Sequence, residues 1–181
     1  MREMIESTSK WDLLRMCGEK FELDTLVETG GYHGGCMAYL KDDFKRLVTI
    51  EYGDSLFKDI YDLDIPNVLC LPGDSGRVLR QFLLFYAEPA LFFLDAHPSG
   101  LDTAVWEGEC IWERELRAIL DRGCPFDVVI VDDVDNPGIE KERVTAVVHE
   151  YQGWEVRVKG EWPECMAIVT AEGRFGEGSA A

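Results

Sequence analysis

The sequence predicts an α/β domain: one doubly wound, seven-stranded sheet, mostly parallel, with an antiparallel C-terminal hairpin strand. Three observations lead there. Short, near-continuous apolar runs alternate with amphipathic stretches, the pattern of parallel strands covered on both faces by helices. Several of those runs stop on an acid, a glycine or both. The last two strand-like segments are joined only by Gly160-Glu161-Trp162-Pro163-Glu164, too short for a parallel crossover, so they must pair antiparallel. They form either a hairpin at one edge or a hairpin whose final strand is inserted between its neighbours.

Taken in order, an N-terminal helix runs to about Lys20, with Trp11, Leu13, Leu14 and Met16 on its apolar side. The first strand is 25–28, and the helix after its glycines takes in 36–41. The second strand is 47–51, and Asp54 can cap the helix carrying Leu56, Phe57, Ile60 and Tyr61. The third strand is 68–71, closed by Pro72-Gly73-Asp74-Ser75. A helix through Val78, Leu79, Phe82, Leu83 and Phe85 follows, and Phe82-Leu83-Leu84-Phe85-Tyr86 is expected to be core. The fourth strand, 90–94, ends in Asp95-Ala96-His97. A polar loop from Pro98 to about Glu109 leads to a helix with Ile111, Leu116, Ile119 and Leu120. The fifth strand, 126–131, ends in Asp132-Asp133; a short helix over 140–150 precedes strands 154–159 and 165–170. Residues 1–24 are read as an N-terminal helical segment, 25–172 as the main domain and 173–181 as a flexible Gly/Ser/Ala-rich tail.

Length and composition bound the function. A chain of 181 residues that is 46% hydrophobic can bury one sizeable core. Its apolar runs are too short to span a bilayer, and Met1-Arg2-Glu3-Met4-Ile5-Glu6 has no signal-peptide core, so a cytoplasmic location and no membrane partner are expected. Six scattered cysteines without a C-x-x-C pair read as reduced thiols, most of them buried. A net charge of −17 repels polyphosphates, and Arg77, Arg80, Arg114, Arg117 and Arg122 are interleaved with acids, so nucleic acid is excluded as a partner. A neutral or cationic small molecule suits this field.

The stretch Leu26-Val27-Glu28-Thr29-Gly30-Gly31-Tyr32-His33-Gly34-Gly35 carries the chemistry. A strand that stops on an acid and enters glycines lets a ligand approach backbone, and Glu51, about 20 residues on, is suited to the two hydroxyls of a ribose. A nucleoside-bearing cofactor is expected here. Tyr32 stands where the second glycine of G-x-G-x-x-G would be, which with the terminal hairpin argues against nicotinamide-dependent oxidoreduction.

With the E-T-G-x-x-x-G loop and the terminal hairpin, the chain resembles the class I S-adenosylmethionine-dependent methyltransferases, over about Thr25 to Ala171. The resemblance implies a Rossmann-like sheet and a cofactor pocket shaped by Glu28, Thr29, Gly30, Tyr32, Gly34, Glu51, Asp74, Ser75 and Asp95. In that reading Glu51 holds the ribose and Asp74-Ser75 meet the adenine. The pairs Leu94-Asp95-Ala96-His97 and Val131-Asp132-Asp133 are similar to those of metal-dependent small-molecule O-methyltransferases of the macrolide-sugar and cephamycin-tailoring type. That likeness implies Mg²⁺ or another divalent cation on Asp95, Asp132 and Asp133, with Asp95 and His97 catalytic and His97 taking the proton of a hydroxylated small-molecule substrate.

Plainer readings of the same residues stay open. Asp95 can hydrogen-bond the cofactor or cap a turn, and Asp132-Asp133 can start a solvated loop, with Asp135 extending it. His97 can contact substrate or lie in a polar loop. Trp106 and Trp112 can wall off substrate, and Trp112 can equally be core. His33 reads as a cofactor-side contact and His149 as structural or exposed. A cofactor-binding module without catalysis is the competing function. An exposed apolar N-terminal helix would favour a homodimer.

Overall fold

The computed structural model describes residues 9–96, 111–135, 139–159 and 165–175. Helix α1 (Lys10–Phe21) starts on Ser9, whose side chain accepts the N–H of Asp12, and stops where Glu22 turns left-handed. Strand β1 (Thr25–Thr29) leads through the glycines into α2 (Gly35–Leu40), then β2 (Arg46–Glu51), α3 (Asp54–Asp62), β3 (Val68–Pro72) and α4 (Ser75–Leu83). The second half runs β4 (Leu91–Leu94), α5 (Ile111–Arg122), β5 (Val128–Val131), α6 (Lys141–His149), β6 (Trp154–Lys159) and β7 (Met166–Ala171).

The sheet has seven strands in the order β3-β2-β1-β4-β5-β7-β6. The first five are parallel, and β7 is inserted between β5 and β6, antiparallel to both. Of the two hairpin arrangements open to the sequence, insertion is the one realised. Strand order reverses between β1 and β4, which opens a crevice at the carboxyl ends of those strands.

Strand alternation divides the core. Val27, Phe92, Leu94, Val129 and Val131 point to the face covered by α4, α5 and α6, with Leu79, Trp112, Leu116 and Val144. Leu26, Leu91, Phe93, Val128 and Ile130 point to the opposite face, with Leu13, Leu14 and Cys17 of α1 and Met37 and Leu40 of α2. The apolar side of α1, with Leu13, Leu14 and Cys17, is thus covered by its own sheet.

Four expectations need correction. Asp54 is the first residue of α3, not its cap; Gly53 holds the N-cap position, and the acid instead favours the positive end of the helix dipole. The run 82–86 is only partly core. Phe82 and Tyr86 stack on each other and pack against the core, whereas Leu84 and Phe85 are 75% and 91% exposed, because α4 ends at Leu83 and its buried stripe ends with it. The fifth strand begins at Val128, and Phe126 is exposed. The tail is packed at its start: Phe175 is buried edge-on against Phe21 and under Arg157, since the turn after β7 returns it to the α1 face. Of the two readings of Trp112, the structure realises core, at 4% exposure.

Cys17, Cys36 and Cys165 are buried, Cys70 and Cys124 half-buried, and all five are free thiols. Burial pushes the Cys17 thiol up to about 12 and the Cys70 thiol to about 11, so both stay protonated. Among the described residues no helix is long and apolar enough to cross a membrane.

Candidate functional site

The glycine loop is built around close backbone contact. Gly30, at φ +81°, closes on the fourth strand's exit: a Cβ there would lie 2.7 Å from the Asp95 carbonyl oxygen. Its N–H donates to the Ile50 carbonyl at 2.9 Å, tying the loop to β2. Glu51 fixes the loop from below. One carboxylate oxygen accepts the Tyr32 N–H and the other the Gly53 N–H, both at 2.8 Å. Tyr32 itself is left-handed at φ +49° and exposed, so its ring stands outside the loop. Gly34, the N-cap of α2, also has positive φ and sits over Leu63 and Ile60.

The two residues before the loop face opposite sides of the sheet. Glu28, buried, accepts the Thr49 hydroxyl at 2.9 Å on the α2 side. Burial raises its carboxyl to about 7. Thr29 turns to the other side, where its hydroxyl donates to Glu115 of α5 at 3.2 Å. Glu115 is wholly buried, and burial raises it to about 8, against the opposing hydrogen bonds of Ser75 and Thr29. Neither the Glu28 carboxylate nor the Thr29 hydroxyl is presented to solvent. Both act as floor to the loop. Glu115 was invisible in the sequence, one acid among many on a helix.

Asp74 caps α4, accepting the Arg77 N–H at 2.9 Å, with Ser75 buried beside it. Outside it, α4 and α5 pack side by side around a cavity of about 510 Å³ lined by Arg77, Arg80, Arg114 and Arg117. These arginines, which the sequence interleaves with acids, stand three apart on their helices, Arg77 with Arg80 and Arg114 with Arg117, so each pair lies on one face. The cluster is nonetheless largely balanced, Arg80 by Asp121, Arg114 by Asp74, and Arg117 by Glu113 and Glu150.

At the β4 and β5 exits, parity and register decide the arrangement. Leu94 pairs with Val131, and the Asp132 N–H donates to the Leu94 carbonyl at 3.0 Å, so Asp95 and Asp132 leave neighbouring strands side by side. Both share the parity of Phe93 and Ile130, which face α1. The carboxylates do converge. What they converge on is Lys10, the first residue of α1, whose Nζ is 2.7 Å from Asp95 Oδ2 and 3.0 Å from Asp132 Oδ2. The ammonium also lies 5.4 Å from the centre of the Phe93 ring. Burial works against this charge, but the pull of Asp95 and then Asp132 overrides it and raises the Lys10 pKa. Asp133 takes a left-handed φ of +52°, and its N–H is capped by Asp132 Oδ1.

The three-carboxylate metal site expected from the sequence is therefore not assembled as such. Among the described residues no three His, Cys, Asp or Glu side chains are grouped to hold an ion, and the position between Asp95 and Asp132 carries an ammonium. A divalent cation there would have to displace Lys10. Lys10 escaped the sequence reading because nothing local links it to acids 85 and 122 positions away.

His33 is exposed and bonds Asp59 through Nδ1 at 2.7 Å, and His149 is exposed at the end of α6. His97 and Trp106 lie outside the described residues.

No family model and no curated protein matches the chain. Solved structures do. The O-methyltransferase TomG from Streptomyces achromogenes, involved in tomaymycin synthesis and in complex with SAM, aligns at TM-score 0.71 and 16% identity, covering 94% of this chain and 83% of that one. An O-methyltransferase from Bacillus cereus in complex with SAH aligns at TM-score 0.73 and 14% identity, covering 92% and 82%. The SAH-bound methyltransferase PaMTH1 of Podospora anserina aligns at 0.68 and 13%, covering 94% and 81%. What these comparisons share with the chain is its seven-stranded, mostly parallel fold.

Proposed function

We propose that this chain, which has the fold of the class I S-adenosylmethionine-dependent methyltransferases, transfers a methyl group to an oxygen of a hydroxylated small molecule. The observation that carries the reading is Glu51 locked onto the glycine loop by the N–H groups of Tyr32 and Gly53, at the point where strand order reverses. A carboxylate so held keeps further lone pairs for a pair of vicinal hydroxyls, and the ribose of an adenosyl group supplies them. The absence of a side chain at Gly30 lets the loop close on the backbone of Asp95 and Ala96 at the β4 exit, which fixes the wall of the crevice beside Glu51.

S-adenosylmethionine, when bound, supplies a methyl group already activated by its sulfonium. The chain's task is then to orient the acceptor oxygen, exclude water and take up a proton. Asp74 and Ser75 border the adenine end, and Asp95 borders the acceptor end. His97, two residues beyond Asp95, is the proposed proton acceptor. No step is assigned to a divalent metal, because Lys10 stands between the carboxylates that would hold it.

Calorimetry with S-adenosylhomocysteine tests this first. The wild type is expected to bind one equivalent, and Glu51→Ala to bind roughly 10- to 100-fold more weakly with an unchanged circular dichroism spectrum, the effect of losing charged hydrogen bonds of about 1.5–3 kcal/mol. A wild type that binds nothing at millimolar ligand is not a methyltransferase of this kind.

A further inference from the structure

We propose that the ε-ammonium of Lys10 is the resident cation of the acceptor crevice, standing on Asp95 and Asp132 where related chemistry would place a divalent metal, and that it orients the acceptor oxygen. The proposal rests on reading the crevice as a methyltransferase site.

The geometry supports this at each level. Asp95 and Asp132 are brought together by the β4–β5 register and by shared parity, so their convergence follows from the sheet itself. Two carboxylates this close repel one another unless a cation lies between them. Lys10 provides that cation from the first turn of α1, and α1 is anchored by Leu13, Leu14 and Cys17 in the core, so the ammonium is delivered by a fixed element. An ammonium has three N–H donors. Two are engaged by Asp95 and Asp132, and the Lys10 side chain remains 35% exposed. The third N–H is thus left for an oxygen entering the crevice, a hydroxyl or a carboxylate. The site selects acceptors by a hydrogen bond from a tethered charge, and turnover needs no added divalent ion.

This assigns α1 a role in the reaction. An N-terminal segment that serves only as a lid would close over substrate without contributing a group to it. Here its first residue completes the acid pair, so substrate binding and the seating of α1 depend on one another.

The test is a Mn²⁺ and Mg²⁺ titration of the full chain by calorimetry, in the presence of S-adenosylhomocysteine. The wild type is expected to show no saturable binding at millimolar ion. Lys10→Met, which keeps an unbranched side chain one atom shorter and without the charge, is expected to bind Mn²⁺ roughly tenfold or more tighter than the wild type, and Lys10→Met with Asp132→Asn to lose that binding again. Lys10→Arg, retaining a charge, is expected to behave as the wild type does. Saturable Mn²⁺ binding by the wild type that disappears in Asp132→Asn overturns the proposal, whether or not the Lys10 variants fold. So does a folded Lys10→Met that gains no affinity for the ion. Failure to bind S-adenosylhomocysteine is a separate outcome, visible before any metal is added, and strikes the methyltransferase reading instead.

Discussion

Gly30 shows how narrow the tolerance of the site is at the scale of one residue. Its φ of +81° and the Asp95 carbonyl 2.7 Å from a hypothetical Cβ leave room for hydrogen alone. Gly30→Ala is expected to destabilise the fold by about 1–3 kcal/mol and to abolish S-adenosylhomocysteine binding, read by thermal melting and calorimetry. Glu115 makes the opposite point, since here the side chain is present and fully enclosed. Its carboxyl is raised to about 8 by burial, and that of Glu28 to about 7. Both are raised above the unfolded value, so their contribution to stability is fully present below about pH 4.5 and is lost as pH rises through 7 and 8. Glu115→Gln keeps the shape without the charge. It is expected to flatten the fall in melting temperature between about pH 4.5 and 8, leaving the variant more stable than the wild type at the alkaline end. A variant whose melting curve follows the wild type across that range would show that Glu115 is not titrating there.

The elements show which side chains serve the fold before they serve a ligand. Asp74, expected at the adenine, is also the cap of α4, accepting the Arg77 N–H. Asp74→Ala is expected to cost about 0.5–2 kcal/mol of stability even without ligand, whereas Asp74→Asn, a comparable cap, is expected to restore most of it. Equal melting temperatures for wild type and Asp74→Ala would remove the capping role. Helix α1 likewise has two functions. Its buried face covers the α2 side of the sheet, and its first residue reaches the acids at the β4 and β5 exits. Much at this scale was legible beforehand. Alternation and turn residues located every described strand and helix to within a few positions, because burial imposes period 2 on strands and a stripe on helices. The misplaced elements have a common cause. In the 82–86 run and at Phe126, aromatic and aliphatic residues continue past the end of the element, and composition alone does not show where the hydrogen-bonded ladder stops.

For the whole molecule the net charge of −17 is the dominant fact. Repulsion among so many acids opposes the compact state and is screened over about 10 Å at 0.1 M salt. The melting temperature is therefore expected to rise as NaCl is increased from about 0.02 to 0.3 M, and a melting temperature indifferent to salt would mean that local ion pairs already offset the excess. The arginines between α4 and α5 are the clearest case of such local balance, drawn from distant parts of the chain.

The amino-acid sequence by itself determined the layer architecture, the antiparallel ending and the glycine loop with Glu51, because each depends on periodicity, loop length or the stereochemistry of one residue, all of them local properties. Tertiary structure alone decided that β7 enters between β5 and β6, that Glu115 lies beneath the loop, and that Asp95 and Asp132 close on Lys10. Those pairings join residues 85, 86 and 122 positions apart. Only strand register and side-chain parity, set when the sheet assembles, bring such groups within reach of one another.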